Sequence, residues 1–439
     1  MTNPLSDPSS LKKVLRPIHI WAIAVGLVIS GEYFGWNYGW GAAGTVGFLI
    51  ATLLVTVLYV CFIFSFTELT TMIPHAGGPF AYARRALGPV GAFVAGLATL
   101  VEFCLAPPAI AFALGSYAHF LHPGLPVMGV AIGCYFVFSL INFLGIKESA
   151  VFTLFITVLA VGELLLFSGI VAPHFKTNNF IANAYPLSLS GIFASIPFAI
   201  WFYLAIEGVA MVAEEVKDPQ KNIAKGYISG IITLVLLAIM VMLFTAGIGD
   251  WRTLSNIDYP LPEAISMVLG KQNGWTKIFA GIGLFGLIAS FHSIILGYSR
   301  EIFALARAGL LPSKLAALHP RFKTPYWALI AGGLIGITAL LTGTTGQVIT
   351  MSAIGALAMY IISMISLIAL RKKEPNTLRP FVSPFYPWFP LTALILSVIS
   401  LVAVIWFNPR EGLLFLGLMA VGLIIFYAIG GHKKLRTDS

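Results

Sequence analysis

Residues 29–39, "ISGEYFGWNYG", interrupt an apolar run that otherwise has the composition of a membrane-spanning helix. Ser30 and Gly31 are weak helix formers, and the carboxylate of Glu32 follows them directly. A charged side chain at the centre of a bilayer costs about 2.5–3.5 kcal/mol on insertion scales, and such residues usually mark a functional site. A broken helix that carries a carboxylate therefore predicts a binding site inside the membrane.

The rest of the chain has the composition of a helical membrane protein. Of its 439 residues, 58% are hydrophobic and only 10% are charged, whereas soluble domains carry about 25% charged residues. Apolar stretches recur at the length of about 20 residues that a transmembrane helix needs. We predict an all-α polytopic membrane protein with about twelve transmembrane helices (spans 1–12), at residues 17–43, 45–72, 90–119, 126–145, 148–171, 191–215, 224–249, 275–306, 325–344, 347–370, 388–407 and 412–431.

The positive charges predict how the chain is oriented in the membrane. Of the 26 Lys and Arg residues, all but five lie on one side of the predicted topology, which is the side that contains both termini. The exceptions are Lys176, Arg252, Lys271, Lys277 and Arg410. Because Lys and Arg are enriched in cytoplasmic loops, we expect a multi-pass protein of the cell inner membrane with both termini in the cytoplasm. The net charge of +9 then reflects topology, and no nucleic-acid partner is predicted.

Spans 1 and 6 share features that predict an internal repeat. Pro197 and Gly208 lie inside span 6, with Glu207 beside the glycine, much as Ser30 and Gly31 lie inside span 1. Interrupted spans at the start of two five-span halves are typical of inverted-repeat transporters with a midplane binding site. Glycines that only allow close helix packing are the alternative. The predicted division is an N-terminal tail at 1–16, a first repeat at 17–171, a second repeat at 191–370, two trailing helices at 388–431 and a tail at 432–439.

Four acidic residues lie well inside predicted spans, with no Lys or Arg at that depth: Glu32, Glu102, Glu163 and Glu207. A buried carboxylate needs a proton, a hydrogen-bonding partner or a cation. Without fixed counter-charges, we expect a mobile cation such as the substrate, a proton or a metal ion. Aromatic residues surround Glu32, and a carboxylate with aromatic faces suits an ammonium group. For Glu163, proton handling and a structural hydrogen bond both remain open.

Further candidate residues lie in spans 6 and 8. Trp201 and Tyr203 precede the interruption of span 6 and are candidates to close over a ligand. His292 is the only histidine deep in a span and can exchange a proton near neutral pH, although a lone histidine is often a packed core residue. Ser290 and Ser293 flank it and offer hydroxyl groups to the substrate or a small cation. The sequence contains no metal cluster, nucleotide loop or catalytic constellation, so we expect neither an enzyme nor a cofactor.

Three other segments resemble signatures of the amino acid/polyamine/organocation transporter superfamily. They are "PHAGGPFAYARRALGPVGAF" at 74–93, "AEEVKDPQKNIAKG" at 213–226 and "YSREIFALARAGLLP" at 298–312. The resemblance covers about residues 17–431. It implies two inverted five-helix repeats plus two trailing helices, with the substrate held between broken helices 1 and 6 and covered by Trp201.

The residue after Ser30-Gly31 departs from the usual pattern of this superfamily, which has a small or aliphatic residue there. In relatives that carry amino acids, the exposed amides of this break hold the substrate carboxylate, which Glu32 would repel. We therefore expect an amine substrate without a carboxylate, and the segment most resembles the ethanolamine permeases. The predicted function is secondary import of a small cationic amine, most of all ethanolamine. An amino-acid permease and a polyamine exchanger are the alternatives within the class.

Two rivals lie outside the transporter class. A membrane enzyme acting on lipid head groups would need a nucleophile or metal constellation, and an ion channel would show repeated filter residues. Coupling stays open: Glu163, Glu207 and His292 are candidates for H+, whereas Ser290 and Ser293 with carbonyl groups of span 1 are candidates for Na+. The expected partners are a small-molecule amine and membrane lipids, and no oligomeric state is predicted. The predicted substrate-binding residues are Ser30, Gly31, Glu32, Glu102, Trp201, Tyr203, Glu207, His292 and Ser293.

Overall fold

The structure is a computed structural model that describes residues 13–182, 188–271 and 273–437. Within these ranges the regular secondary structure is helical, apart from one isolated backbone bridge between Leu15 and Val216. The prediction of an all-α fold is therefore confirmed.

Nine helices of the described residues are long and apolar enough to cross a membrane. They run over Tyr38–Met72, Pro89–Leu121, Ala150–His174, Ile196–Glu215, Pro219–Ala246, Gly274–Arg307, Thr345–Lys373, Trp388–Phe407 and Pro409–Ala428. Three shorter apolar helices, Pro17–Val28, Val127–Phe143 and Tyr326–Thr342, coincide with predicted spans 1, 4 and 9. The helices follow the twelve predicted spans in order, so we keep the span numbers below.

Short helices lie in the connections between spans. The α-helical ones are Gly78–Leu87, Thr177–Ala182 and Pro260–Leu269, and the 3₁₀ turns are Trp251–Thr253 and Ser313–Ala316. The span Ala150–His174 ends in a further 3₁₀ turn, Ala172–His174, and the helix Gly431–Thr437 follows span 12. The helix Tyr38–Met72 joins the end of span 1 to span 2 through a kink at Gly44, where φ is 65°. A residue with a side chain rarely adopts this φ, so glycine is the residue suited to the turn between the two spans.

Span 1 is broken, but its unwound segment begins after Glu32 rather than at Ser30-Gly31. The helices Pro17–Val28 and Ser30–Tyr33 are separated only by Ile29, which keeps right-handed helical angles. The backbone then becomes extended at Phe34, with φ −164° and ψ 174°, and turns at Gly35, where φ is 90°. The boundary between the two helices thus lies directly before the predicted Ser30-Gly31 interruption, and the extended backbone follows at Phe34.

Span 6 is broken at residues 202–205. The helices Leu189–Ala194 and Ile196–Trp201 precede the break, and the 3₁₀ helix Ile206–Glu215 follows it. Pro197 lies in the first turn of its helix, where its missing N–H leaves no helical hydrogen bond unmade. The backbone changes direction at Ala205, which has a left-handed φ of 76°.

The two broken spans lie at the centre of the helix bundle. Span 1 packs against spans 5, 7 and 8, and the first half of span 6 packs against spans 2 and 10. Span 3 packs most extensively against spans 8 and 10. In span 6, 94% of the most apolar 18-residue stretch is buried, whereas only 22% of the corresponding stretch of span 12 is buried. Span 12 therefore lies at the periphery. The division of the chain into two inverted repeats, with the limits given above, remains a prediction.

One end of the bundle, which we call the basic end, contains residues 13–16, 73–88 and 374–387. The N–H groups of Val14 and Leu15 donate to the carbonyl oxygen of Glu215, at 2.9 and 3.0 Å. The carboxylate of Glu215 pairs with Arg300 at 3.1 Å, and both side chains are 1% exposed. Backbone pairing and a buried ion pair therefore join the start of span 1, the end of span 6 and span 8.

Two further carboxylates near this end, those of Glu68 and Glu214, are also paired with arginines. Glu68 binds Arg371 at 2.6 Å and Arg379 at 3.1 Å. Glu214 binds Arg307 at 2.7 Å. Each of these carboxylates therefore has an arginine partner.

Candidate functional site

Glu32 lies in the last helical turn of span 1 before the break, and its side chain is fully buried. Neither of its carboxylate oxygens has a hydrogen-bond partner among the described residues. The backbone N–H of Ser30 donates to Oγ of Ser290 at 2.8 Å. A Cβ atom at Gly31 would lie 2.2 Å from the carbonyl oxygen of Trp201, so glycine allows the backbones of spans 1 and 6 to touch there. An uncompensated carboxylate thus lies next to both breaks.

Aromatic side chains of the unwound segment tie span 1 to span 6. The rings of Phe34 and Trp201 meet edge to face, with their centroids 5.6 Å apart. Trp36 stacks on Phe202 at 5.8 Å. These side chains therefore pack span 1 against span 6 across the two breaks.

Glu102 and Glu207 form a second acidic group, which we call the carboxyl pair. Both side chains are fully buried, and their carboxyl groups face each other within hydrogen-bonding reach. Two carboxylates so placed repel each other unless one holds a proton or a cation lies between them. The hydroxyl of Tyr360 donates to Oε2 of Glu207 at 3.1 Å, and Tyr59 lies 2.9 Å from that hydroxyl. The structure therefore brings Glu102 and Glu207 together, as the sequence alone did not predict.

The two predicted gating residues have different environments. Trp201 is 3% exposed, and its indole Nε1 has no partner among the described residues. The hydroxyl of Tyr203 lies 2.7 Å from Oγ1 of Thr56, and its ring packs beside that of Tyr59 at 5.1 Å. Both lie at the end of the first half of span 6, against span 1 and span 2 respectively.

Glu163 of span 5 is hydrogen-bonded to the broken part of span 1. Its Oε2 accepts a hydrogen bond from the hydroxyl of Tyr33 at 2.6 Å. Tyr117 of span 3 donates to the carbonyl oxygen of Tyr33 at 3.1 Å. Of the two roles left open for Glu163, the structure shows the hydrogen bond. This hydrogen bond holds the turn of span 1 that carries Glu32.

His292 faces spans 4 and 5. Its Nδ1 lies 3.0 Å from the side-chain nitrogen of Asn142, which also donates to the backbone carbonyl of His292 at 3.1 Å. The rings of Phe138 and Phe152 pack edge-on against the imidazole. His292 is thus a core histidine with a side-chain partner, whereas Ser290 on the same helix contacts span 1.

A cluster of hydroxyl groups surrounds Gly26 of span 1. A Cβ atom at this glycine would lie 2.8 Å from Oγ1 of Thr157 and 3.2 Å from Oγ of Ser293. The Thr157 hydroxyl donates to the carbonyl of Ala22 at 3.2 Å, and the hydroxyls of Ser293 and Thr153 have no partner among the described residues. Sequence reasoning included Ser293 but missed both threonines, although their spacing of four residues places them on one helix face.

The sequence-based count of intramembrane acids was incomplete. Glu301 lies inside the predicted span at 275–306 and is fully buried, and so is Arg300 beside it. Tyr59 and Tyr360, which reach the carboxyl pair, were also missed, because a tyrosine in an apolar run carries no sequence signal of its own.

Asp258 holds the end of the bundle opposite to the basic end. Its carboxylate accepts hydrogen bonds from the hydroxyls of Tyr38 at 2.7 Å and Thr345 at 3.1 Å. Burial raises the pKa of Asp258, and the two hydrogen bonds partly oppose that shift. The loop before the helix Pro260–Leu269 therefore links the end of span 1 to the start of span 10.

A buried, carboxylate-bearing centre between two broken helices in a multi-pass bundle defines a membrane transporter rather than an enzyme. The family model for amino acid permeases matches residues 19–434. The chain belongs to this amino acid permease family, within the amino acid/polyamine/organocation superfamily.

Three of the relatives found by comparison are transporters that match this chain over nearly full length. An uncharacterized transporter of Rhizobium meliloti is 32% identical, over 91% of this chain and 88% of its own. The branched-chain amino acid permease BcaP of Bacillus subtilis is 26% identical, over 98% and 96%. The methylthioribose transporter of the same organism is 28% identical, again over 98% and 96%.

Proposed function

We propose that this protein is a secondary transporter of the cell inner membrane that imports a small cationic amine, ethanolamine first of all. The observation that supports this is Glu32 at the break of span 1, a fully buried carboxylate without a partner in the part of the chain that the structure describes. An ammonium group beside it would supply the missing counter-charge. At about 4 Å and an effective dielectric near 20, such a contact contributes about 4 kcal/mol before desolvation.

Other predicted residues take roles that follow from their positions. Trp201 and Phe34 close over the amine, and Tyr203 and Thr56 hold the adjoining part of span 6 against span 2. Ser290 fixes the turn of Ser30, and its hydroxyl is placed to bind the substrate hydroxyl when that turn opens. His292 takes no direct part in this proposal, because Asn142 binds it on the far side of span 8.

The carboxyl pair is the proposed site of proton coupling. A proton shared by Glu102 and Glu207 would be displaced as a cation arrives, which links amine binding to proton movement. The hydroxyl cluster around Gly26 favours Na+ as the second candidate, since Thr157 and Ser293 offer hard oxygen ligands there. Uptake into proteoliposomes under an imposed pH gradient, or under an imposed sodium gradient, distinguishes the two.

An amino-acid permease is the second candidate function. It is favoured by the likeness to a branched-chain amino acid permease over 98% of this chain. A competition panel of ethanolamine, choline, alanine and putrescine tests this choice on purified protein. Displacement of labelled ethanolamine by unlabelled ethanolamine but not by alanine supports the amine proposal. If alanine alone binds, the amine proposal is wrong.

The substitution Glu32→Gln tests the role of the carboxylate directly. Removal of a buried charge partner weakens binding strongly, so the affinity for ethanolamine should fall by at least about tenfold. The matched control is Glu263→Gln, which removes a carboxylate paired with Lys271 at 3.2 Å in an outer loop and should leave affinity unchanged. Unchanged affinity in Glu32→Gln protein that elutes as a single species would contradict the pairing.

A further inference from the structure

Glu301 of span 8 is a buried carboxylate that the proposed site does not use. Its side chain is fully buried, and neither oxygen has a hydrogen-bond partner among the described residues. The hydroxyl of Tyr82, in the helix Gly78–Leu87, lies within electrostatic range of it. Buried polar groups of this kind are rare in proteins unless a ligand or an ion visits them.

The position of Glu301 continues a line of carboxylates toward the basic end. Its Oε1 would lie 3.5 Å from a Cβ atom at Gly96 in span 3. Gly96 precedes Glu102 by six residues, which corresponds to about 9 Å along the helix axis. Four residues from Glu301 along span 8, Gly297 packs against Phe103 of span 3 and Met211 of span 6. Glu301 therefore faces span 3, about two turns beyond the carboxyl pair, on a helix that also packs against span 6 at Gly297.

The nearby cations are directed to other carboxylates. The guanidinium of Arg300 donates to Glu215 at 3.1 Å and to Oγ of Ser299 at 3.0 Å. Arg307, almost two turns further along, binds Glu214. Glu301 forms no ion pair with any described residue, so its charge is open to a mobile cation.

We infer that Glu301 forms a second, transient binding station for the ammonium group of the transported amine, between the carboxyl pair and the basic end. This inference rests on the proposed function and on the predicted cytoplasmic location of the basic end. Small primary ammonium ions are the ligand class. When the basic end opens, the amine passes from Glu102 and Glu207 to Glu301 and then to the cytoplasm.

The test uses the full chain in vesicles of uniform orientation and measures exchange of labelled ethanolamine. In Glu301→Gln, the half-saturating ethanolamine concentration at the basic end should rise by about tenfold, because a charged contact is lost there. At the opposite face it should change less than about twofold, since the first contact there is with Glu32. Glu301→Asp should stay near wild type, and Glu263→Gln serves as the control.

Each outcome decides one of the two proposals. Suppose that wild type exchanges ethanolamine. If Glu301→Gln then changes the half-saturating ethanolamine concentration equally at both faces, or at neither, the proposed binding station is wrong while the proposed function stands. If wild type exchanges no amine of the panel, the proposed function is wrong and the station falls with it. Binding of ethanolamine by purified Glu301→Gln protein confirms that the variant is folded.

Discussion

Glu32 and Glu163 are both buried glutamates beside the break of span 1, yet their surroundings give them different roles. Glu163 accepts a hydrogen bond from Tyr33 and fixes the turn, whereas Glu32 has no partner among the described residues. A carboxylate with a good donor can serve the structure alone, because the hydrogen bond compensates for part of its desolvation. A buried carboxylate without a hydrogen-bond donor makes the empty site less stable, and this favours the cation-bound state over the empty state.

Gly35 is the residue at which the backbone of span 1 reverses. Its φ is 90°, and a Cβ atom would lie 2.4 Å from the ring of Trp201. Gly35→Ala should therefore cost about 1–2 kcal/mol for the left-handed backbone and also displace the ring proposed to cover the substrate. We expect ethanolamine uptake to fall strongly in proteoliposomes that contain equal amounts of protein.

The control for this prediction is Gly162→Ala. This glycine lies inside a helix, and a Cβ atom there would meet open space. Uptake by Gly162→Ala should match wild type. Normal uptake by Gly35→Ala would show that the contact with Trp201 is not needed for transport.

At the scale of elements, the two breaks are built by different means. In span 1 an extended residue and a glycine interrupt an α-helix, and the turn before them stays helical. In span 6 the second half is a 3₁₀ helix that follows the left-handed Ala205. Unpaired backbone groups in a membrane are tolerated only where they are buried in protein or line a cavity, which both breaks satisfy at the bundle centre.

The basic end is held by the buried pair of Glu215 and Arg300, which joins spans 6 and 8. Arg300→Met would leave a buried carboxylate without its partner, and loss of one member of such a pair costs about 3–5 kcal/mol. We expect a clear drop in the thermal unfolding temperature of the purified protein. The double substitution of Arg300→Met with Glu215→Leu should recover most of it.

The comparison for this pair is Arg85 with Glu374, which lie 2.6 Å apart but are 40% and 27% exposed. The Arg85 guanidinium holds the pKa of Glu374 below its usual range. Such exposed pairs contribute less than about 1 kcal/mol, so Arg85→Met should hardly change the unfolding temperature. A similar loss in both variants would contradict the distinction between buried and exposed pairs.

At the scale of the whole molecule, the centre is closed toward both ends. The Glu215 contacts close the basic end, and the contacts of Asp258 with Tyr38 and Thr345 close the opposite end. Glu32, Glu102 and Glu207 are fully buried between these layers. Alternating access then requires that the two layers open in turn around a fixed site.

The orientation of the molecule is open to a direct test. Lys314 lies at the basic end, and Lys271 lies at the other, 75% exposed. In a variant without Cys61, Cys104 and Cys134, a membrane-impermeant maleimide added to intact cells should label Lys271→Cys and not Lys314→Cys, as the distribution of positive charge predicts. Labelling of Lys314→Cys alone would show that the predicted orientation in the membrane is wrong.

The sequence determined the twelve spans, the broken spans 1 and 6 and the isolated acids within them. These follow from local chemistry, since hydropathy sets where a helix can cross a membrane and an ionisable residue in an apolar run is conspicuous by itself. Only the tertiary structure decided that Glu102 faces Glu207, that Glu163 binds Tyr33, and that the break begins at Phe34. Those facts depend on which helix faces another and at what height, and residues far apart in the chain do not encode that in any local pattern.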